Sequence, residues 1–264
     1  MSTLRVAVIY GGRGRGHELS CQSANTVIRH LNRDRYDVLP VHITPDGHWG
    51  TGAADRSPLE SMTQALDAMA SVDVAFPCLH GEDGTIQSVL SFSGIPYVGS
   101  GVVASAATTN GEIARKLLAA DGIPVAGTLA SSGDSIRVGV LEYPDGRLTT
   151  TAGLDNIPAE MADRLGGFAV RAFRALGCAG LLQIGFRSDS RVEHTSSRVE
   201  HADSRVEAVI DDVDTMPNLA LDAPFARAWQ ATGMAYPLLL DLLIETAVGH
   251  GRPVPDAVAE RSLP

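Results

Sequence analysis

Residues 73–101 constrain the fold of this chain more than any other part of it. They read DVAFPCLHGEDGTIQSVLSFSGIPYVGSG. A short apolar run, typical of a buried strand, ends at a loop that carries His80, and apolar residues then recur at helical spacing. Residues 95–98 resume an extended run and lead into a Gly-Ser-Gly turn that contains Ser100. This order predicts a parallel α/β sheet with ligand-facing loops at the strand carboxyl ends.

The same alternation of strand and helix covers the rest of the first half. We predict strands at 5–10, 36–43 and 123–125, and helices at 19–31, 57–69 and 110–121. Short apolar strands that alternate with amphipathic helices are typical of a sheet covered by helices on both faces. We therefore predict a Rossmann-like parallel domain over residues 1–126.

The second half predicts a smaller α+β domain. Residues 127–156 are weakly patterned and form a linker with a short hairpin. Residues 157–264 begin with an amphipathic helix, continue with two strands, and hold two helices at 223–231 and 237–248. Between the strands the sequence SRVEH recurs, and we expect this repeat, at 189–204, to be a solvated and mobile hairpin tip. His194 and His201 within it are not favoured as a metal pair.

Composition excludes several classes of partner. The chain has 264 residues and a formal net charge of −10, which argues against nucleic acid and anionic membranes. Apolar residues make up 44% of the chain, but no run approaches a membrane span in length. Residues 1–10 read as a strand and not as a signal peptide, so we expect a cytoplasmic protein. The three cysteines are scattered and odd in number, as expected for reduced thiols.

The glycine-rich loop at 11–16 leaves two interpretations open. Its spacing does not match the dinucleotide-binding pattern, so NAD is not indicated. Its backbone N–H groups, with Arg13 and Arg15, can hold a carboxylate or phosphate at a helix start. The loop can equally be a turn whose glycines adopt positive φ. His80 likewise serves either as a ligand contact or as a loop cap.

Four segments of the chain resemble the D-alanine–D-alanine ligases of the ATP-grasp superfamily. Residues 73–101 are similar to the family pattern FPxLHGxxGEDGTIQGxLExxGIPYVGSG, and residues 8–24 to VxxGGxSxEHExSxxSA. Residues 171–186 and 210–247 resemble the end of the family's ATP-grasp domain. Within the first loop His17, Glu18 and Ser20 match the pattern. The resemblance implies a homodimer.

The resemblance also exposes departures from the family pattern. The family's first-loop glutamate, which receives the substrate amino group, falls on Gly16, and a phosphate-binding lysine falls on Gly111. The arginine and the aspartate of the family's RxDF strand fall on Gln183 and Gly185. The serine that holds the second substrate's carboxylate falls on Ala223. The small ATP-grasp lobe is nearly absent, since only about residues 137–156 fill its place.

These departures keep three functions open. The chain is expected to be a repurposed family member that binds a small zwitterion without ATP, as a binding or regulatory protein or as an enzyme of specialised metabolism. It is alternatively an active ATP-dependent ligase, or a non-catalytic partner of an intact ligase. No cofactor is expected unless the ligase alternative holds, in which case Mg²⁺ and ATP are required. The residues expected to bind the ligand are Arg13, Arg15, His17, Glu18, Ser20, His80 and Ser100; Asp212 and Asp214 are the expected metal ligands if a metal is bound.

Overall fold

A three-stranded parallel sheet forms the centre of the first half of the molecule. The structure is a computed structural model that describes residues 3–50, 56–81, 84–129, 135–151, 157–188 and 208–250. Strands β1 (Leu4–Gly11), β2 (Tyr36–Ile43) and β3 (Val74–Pro77) lie in the order β2-β1-β3. The middle strand β1 is apolar on both faces, and Val6, Val8 and Ile9 are fully buried. A strand with this pattern must be covered on both sides of the sheet.

Five helices accompany this sheet: α1 (His17–His30), α2 (Pro58–Met69), α3 (Thr85–Phe92), α4 (Val102–Thr109) and α5 (Gly111–Ala120). Helix α2 begins with a capping box, in which Ser57 and Glu60 satisfy each other's backbone N–H groups. Helix α4 is not among the predicted elements. Its residues are Val, Ala, Ser and Thr, so it lacks the strong apolar period that identifies the other helices.

The second half is built on an antiparallel sheet. Strands β4 (Ile136–Glu142), β5 (Leu148–Thr150), β6 (Leu181–Ser188) and β7 (Ala208–Asp214) lie in the order β5-β4-β6-β7. Helix α6 (Ala159–Ala175) packs on one face through Leu165, Ala169 and Phe173. The pairing of β6 with β7 shifts register at Gly185, where β7 carries one extra residue. The predicted mobile repeat at 189–204 lies outside the described residues, as do His194 and His201.

Helices α7 (Pro224–Ala231) and α8 (Tyr236–Gly249) complete the chain as the structure describes it. Helix α8 is apolar on most sides and packs against α1 and β3, with Leu240 and Ile244 in one cluster with Val6 of β1. Arg35, just before β2, forms ion pairs with Asp241 and Glu245 on its outer face. The last helix therefore closes the core of the first sheet.

The predicted fold class is confirmed: a parallel α/β domain is followed by a smaller α+β part with an antiparallel sheet. The predicted extended segment 123–125 does not join the first sheet: Val125 forms a parallel bridge with Ile210 of β7 and so lies beside the second sheet. Among the described helices, no single one is long and apolar enough to cross a membrane. Helices α7 and α8 reach that length and composition only when counted as a pair, and the pair is bent by 106°.

Candidate functional site

A cavity of about 350 Å³ lies between the loop after β3 and the end of β7. One wall comes from the His80 loop, α3 and the end of α4, and the opposite wall comes from β7 and the residues that follow it. It therefore lies at the carboxyl end of β3, where open α/β sheets bind ligands. The described lining residues are Leu19, Leu79, His80, Gly81, Gln87, Thr108, Thr109, Asp212, Val213, Asp214, Thr215 and Met216.

His80 is held in this wall by a network of hydrogen bonds. Asn218 Oδ1 accepts hydrogen bonds from Ala220 N–H at 2.9 Å and from the Ser23 hydroxyl at 2.7 Å. Ser23 Oγ also lies at hydrogen-bonding distance from His80 Nε2, at 3.0 Å. Ser23 Oγ also accepts from Leu219 N–H at 3.2 Å. The network joins α1, the His80 loop and the segment after β7.

His80 is kept neutral by its surroundings. Burial lowers the pKa of the imidazole, and its hydrogen bond to the Met216 backbone opposes this shift in part. The ring therefore lines the cavity without a positive charge at neutral pH, while its hydrogen bonds to Ser23 and to the Met216 backbone hold it in place. A wall of this kind suits a neutral or zwitterionic ligand better than an anionic one.

Two carboxylates face the His80 loop from the opposite wall. Asp214 Oδ1 accepts the Met216 N–H at 2.9 Å, and burial raises the pKa of Asp214 to about 6. Asp212 Oδ2 forms an ion pair with Arg137 Nη1 at 2.8 Å, and both side chains are about a quarter exposed. The sequence-predicted pair Asp212 and Asp214 therefore lines one cavity, with one carboxylate already occupied by a cation.

Gln87 is a site residue that the sequence-based selection missed. It lies on α3, is 4% exposed, and lines the cavity. Its Oε1 is buried and accepts no hydrogen bond from any residue in the described part of the chain. A buried acceptor without a partner costs about 1–3 kcal/mol, so a rotation of this side chain toward the cavity would be favoured by a ligand that brings an N–H or O–H donor. The sequence offered one signal for Gln87: it is a polar residue beside the apolar positions Ile86 and Leu90, on the buried side of α3.

The arginines of the first loop do not line this cavity. Arg13 donates from Nη2 and Nε to the carbonyl oxygen of Asp46, at 2.7 and 3.2 Å, and is thereby held against the turn after β2. Arg15 is exposed and has no hydrogen bond or ion pair with another residue that the structure describes. Glu18 is exposed in the first turn of α1, and His17 donates from Nδ1 to the Gly12 carbonyl at 2.8 Å. The structure does not bring these four side chains into the lining.

Two of the predicted ligand residues are buried within the protein. Ser20 is 0% exposed; its hydroxyl accepts from Gly11 N–H at 2.7 Å and donates to the Cys78 carbonyl at 2.6 Å. Ser100 is 2% exposed, and its hydroxyl accepts from Ala179 N–H at 3.2 Å. Ser20 thus ties the first loop to the end of β3, and Ser100 ties the Gly-Ser-Gly turn to the segment before β6.

Glycines replace larger residues of the family pattern where the packing has little space for a side chain. A Cβ on Gly16 would lie 2.5 Å from the His80 carbonyl oxygen. A Cβ on Gly185 would lie 2.8 Å from Asp211 Oδ1 and 2.9 Å from Asp212 Cβ. At Gly111 the nearest atom, Leu129 Cβ, is 3.3 Å away. At Gly16 and Gly185 the neighbouring residues thus occupy the space that a side chain would need.

Known proteins match the chain along nearly its whole length. The family described as D-ala D-ala ligase N-terminus matches residues 5–100. The D-alanine–D-alanine ligase of Mycobacterium sp. (strain KMS) is 31% identical over 374 aligned positions, which cover 94% of this chain and 97% of the relative. The corresponding ligase of Rhodococcus erythropolis is 30% identical, with 95% and 98% covered. The chain has 264 residues, so these relatives carry segments without a counterpart here.

Solved structures show the same fold. The D-alanine-D-alanine ligase from Coxiella burnetii superposes with a TM-score of 0.75 at 21% identity, over 95% of each chain. The VanG D-Ala:D-Ser ligase from Enterococcus faecalis superposes with a TM-score of 0.72 at 20% identity, over 93% of this chain and 100% of that one. These structures show the fold, and the relatives at 30–31% identity establish that the chain belongs to the D-alanine–D-alanine ligase family, as a shortened member.

Proposed function

We propose that this family member binds a small zwitterion, an amino acid or a short peptide, in the cavity between the His80 loop and the end of β7, and that it does so without ATP. The observation that carries the proposal is the buried, unpartnered Oε1 of Gln87 in a cavity that also exposes Asp214. Both groups accept hydrogen bonds, and a ligand ammonium group supplies donors to both.

The opposite end of the ligand requires a donor for its carboxylate. Arg13 already donates to the Asp46 carbonyl, whereas Arg15 is exposed outside the lining, next to Gly16, which packs against the His80 loop, and is the better partner. A guanidinium matches a carboxylate in planar geometry and charge. We therefore assign the amine of the ligand to Gln87 and Asp214, and its carboxylate to the mouth of the cavity.

The charge of the cavity disfavours a nucleoside triphosphate. Phosphoryl groups are held by cations and by bound metal ions. The described lining residues include no lysine or arginine, and the nearby Arg137 is paired with Asp212. Lys116, the single lysine of the chain, forms an i,i+4 ion pair with Glu112 on an exposed helix face.

Magnesium is disfavoured for a related reason. The family pattern implies an aspartate at 185, and the glycine there is enclosed by Asp211 and Asp212. Asp212 is bound to Arg137, so a metal ion has to displace that guanidinium before it can use both carboxylates. We infer that Asp212 and Asp214 act through their charge and not as metal ligands.

An active ATP-dependent ligase is the second candidate function. The names of the relatives favour it, since those at about 30% identity are D-alanine–D-alanine ligases. The two functions differ in one observable, because the ligase releases ADP and phosphate when it joins two amino acids.

We also propose the homodimer that the family resemblance implies. Phe92 at the end of α3 is 95% exposed, and Leu59 on α2 is 67% exposed, so apolar surface is available for a second copy. Sedimentation of the parent and of Phe92→Ser tests this: a dimer that dissociates in the variant supports the proposal, and a monomeric parent refutes it.

A substitution at Gln87 tests the ligand proposal with two readouts. The parent, Gln87→Met and the exposed control Gln22→Met are screened by thermal shift with D-amino acids and dipeptides, and affinities for the hits are measured by calorimetry. Loss of the acceptor is expected to weaken binding by about 1–3 kcal/mol, which is about 5- to 150-fold. The same change removes an unsatisfied buried acceptor, so the unliganded variant is expected to be at least as stable as the parent. Unchanged affinity in Gln87→Met places the ligand elsewhere.

A further inference from the structure

A second cluster of ligand-type side chains lies on the other side of the first loop. His17, Cys21 and His42 each offer one donor atom, and these atoms all lie within 4.8 Å of one another. None of the three lines the cavity described above. We propose that they form a binding site for one divalent ion of the zinc class, with two imidazole nitrogens and one thiolate as ligands.

The helix places the first two ligands on the same face. His17 is the first residue of α1, and Cys21 follows one turn later, so their side chains are neighbours. His17 Nε2 lies 3.7 Å from Cys21 Sγ. With a zinc–sulfur distance of about 2.3 Å and a zinc–nitrogen distance of about 2.05 Å, a tetrahedral ion separates these atoms by about 3.6 Å. The pair therefore already has the separation that such an ion requires.

The tautomer of His17 suits coordination. Its Nδ1 lies 2.8 Å from the Gly12 carbonyl oxygen, which can only accept a hydrogen bond. Nδ1 therefore carries the proton, and the lone pair of the neutral ring is on Nε2, which faces Cys21. A histidine that donates its second N–H to a backbone carbonyl is the usual arrangement around protein-bound metals.

His42 is presented by the neighbouring strand. It pairs with Tyr10 across β1 and β2, and the two rings stack at 5.1 Å between centroids. The His17 and His42 rings meet edge to face at 5.5 Å. The His42 ring lies close to the backbone of Gly11, which has φ +97°. A Cβ at this position would be 3.0 Å from the ring. Two ligands from a helix and one from a strand thus converge at the end of the sheet.

The ligand set selects the class of ion. Imidazole and thiolate favour Zn²⁺ and Co²⁺ over Mg²⁺ and Ca²⁺, which prefer oxygen. All three side chains are partly exposed, so the ion has access from solvent and a water molecule can complete the tetrahedron. On binding, the Cys21 thiol loses its proton to the buffer and the sulfur lone pair forms the bond to the ion.

Cobalt spectroscopy of the full chain, free of any histidine tag, tests the site. Metal-free protein is titrated with Co²⁺ and followed in the visible and near-ultraviolet regions. We expect one ion per chain, tetrahedral d–d bands and a thiolate-to-cobalt charge-transfer band. Cys21→Ser is expected to abolish the charge-transfer band, and His42→Ala to weaken binding more than about tenfold. Addition of Zn²⁺ should displace the cobalt and remove both sets of bands.

Two controls separate this site from other thiols and imidazoles. Cys178→Ser removes a different partly buried thiol and is expected to retain the charge-transfer band. The double variant His194→Ala/His201→Ala removes the histidines of the sequence repeat and should also bind Co²⁺ as the parent does. The proposal is overturned if the charge-transfer band persists in Cys21→Ser. It is also overturned if Cys21→Ser keeps the band and one of the two controls loses it. Unchanged urea midpoints in Cys21→Ser exclude loss of folding as the reason for lost binding.

Discussion

The substitution Gly16→Ala tests whether the first loop packs tightly against the His80 loop. Gly16 has φ −79° and ψ 1°, which an alanine adopts without strain, so its backbone conformation does not require glycine. The obstacle is the His80 carbonyl oxygen, which would lie 2.5 Å from the new Cβ. The loops must separate by about 0.9 Å to restore an ordinary contact of 3.4 Å, and overpacking of this kind costs about 1–3 kcal/mol.

The net effect includes a gain from the unfolded state. Replacement of glycine by alanine stabilises a compatible site by about 0.4–1 kcal/mol, because the unfolded chain loses freedom. We therefore expect Gly16→Ala to lower the free energy of unfolding by about 1–2 kcal/mol. For a chain of this size that corresponds to a fall in Tm of about 2–8 °C.

Gly14→Ala, two residues away, is the matched control. The nearest atom to a Cβ at Gly14 is 4.0 Å away, and the residue is exposed. Urea unfolding at pH 7.5, followed by circular dichroism, is expected to show Gly14→Ala equal to or slightly more stable than the parent. If Gly16→Ala unfolds at the same urea concentration as Gly14→Ala, the first loop is not packed against the His80 carbonyl.

Two further predictions concern the cavity walls, and a third concerns Arg15 of the first loop. Ser23→Ala removes the hydroxyl shared by His80 and Asn218, and should lower the free energy of unfolding by about 1–3 kcal/mol in urea titrations; an unchanged midpoint argues against the network. The pKa of Asp214 in the folded state is raised to about 6, above its unfolded value, so its ionisation destabilises the fold at high pH. Asp214→Asn should therefore stabilise the protein at pH 8, by at most about 3 kcal/mol, with the gain shrinking as pH falls from about 6 to 4; a gain independent of pH contradicts the shift. Arg15→Ala should weaken binding of the hit ligand by about 1–3 kcal/mol in calorimetry, with urea stability unchanged; equal affinity removes Arg15 from the site.

Much of the fold is predictable from sequence because local patterns there agree with the tertiary structure. Strand β1 is a continuous apolar run, and α6 has a clear amphipathic period, so both lie where periodicity predicts them. Helix α4 was missed because its small residues carry no such period. The all-round apolar character of α8 predicts burial, but its packing on the first sheet depends on contacts distant in the chain.

The site is only partly predictable, since hydroxyl and guanidinium groups can bond to backbone as well as to ligand. His80 lines the cavity as expected, whereas Ser20 and Ser100 are buried on backbone groups and Arg13 reaches the Asp46 carbonyl. Nothing in the spacing of these residues distinguishes the two outcomes. Gln87 could have been recognised, because a polar residue on the buried side of an apolar helix requires a partner.

ADP release and ligand binding, measured on the same preparation, distinguish a zwitterion-binding protein from an active ligase. The parent protein is incubated with ATP, Mg²⁺ and D-alanine, with an intact D-alanine–D-alanine ligase as positive control, and the hits of the thermal-shift screen are titrated by calorimetry in the absence of ATP. We expect ADP release no greater than in the absence of protein, together with saturable binding of an amino acid or dipeptide that Gln87→Met weakens. Magnesium-dependent ADP release stimulated by D-alanine would refute ligand binding without ATP and identify the chain as an active ligase.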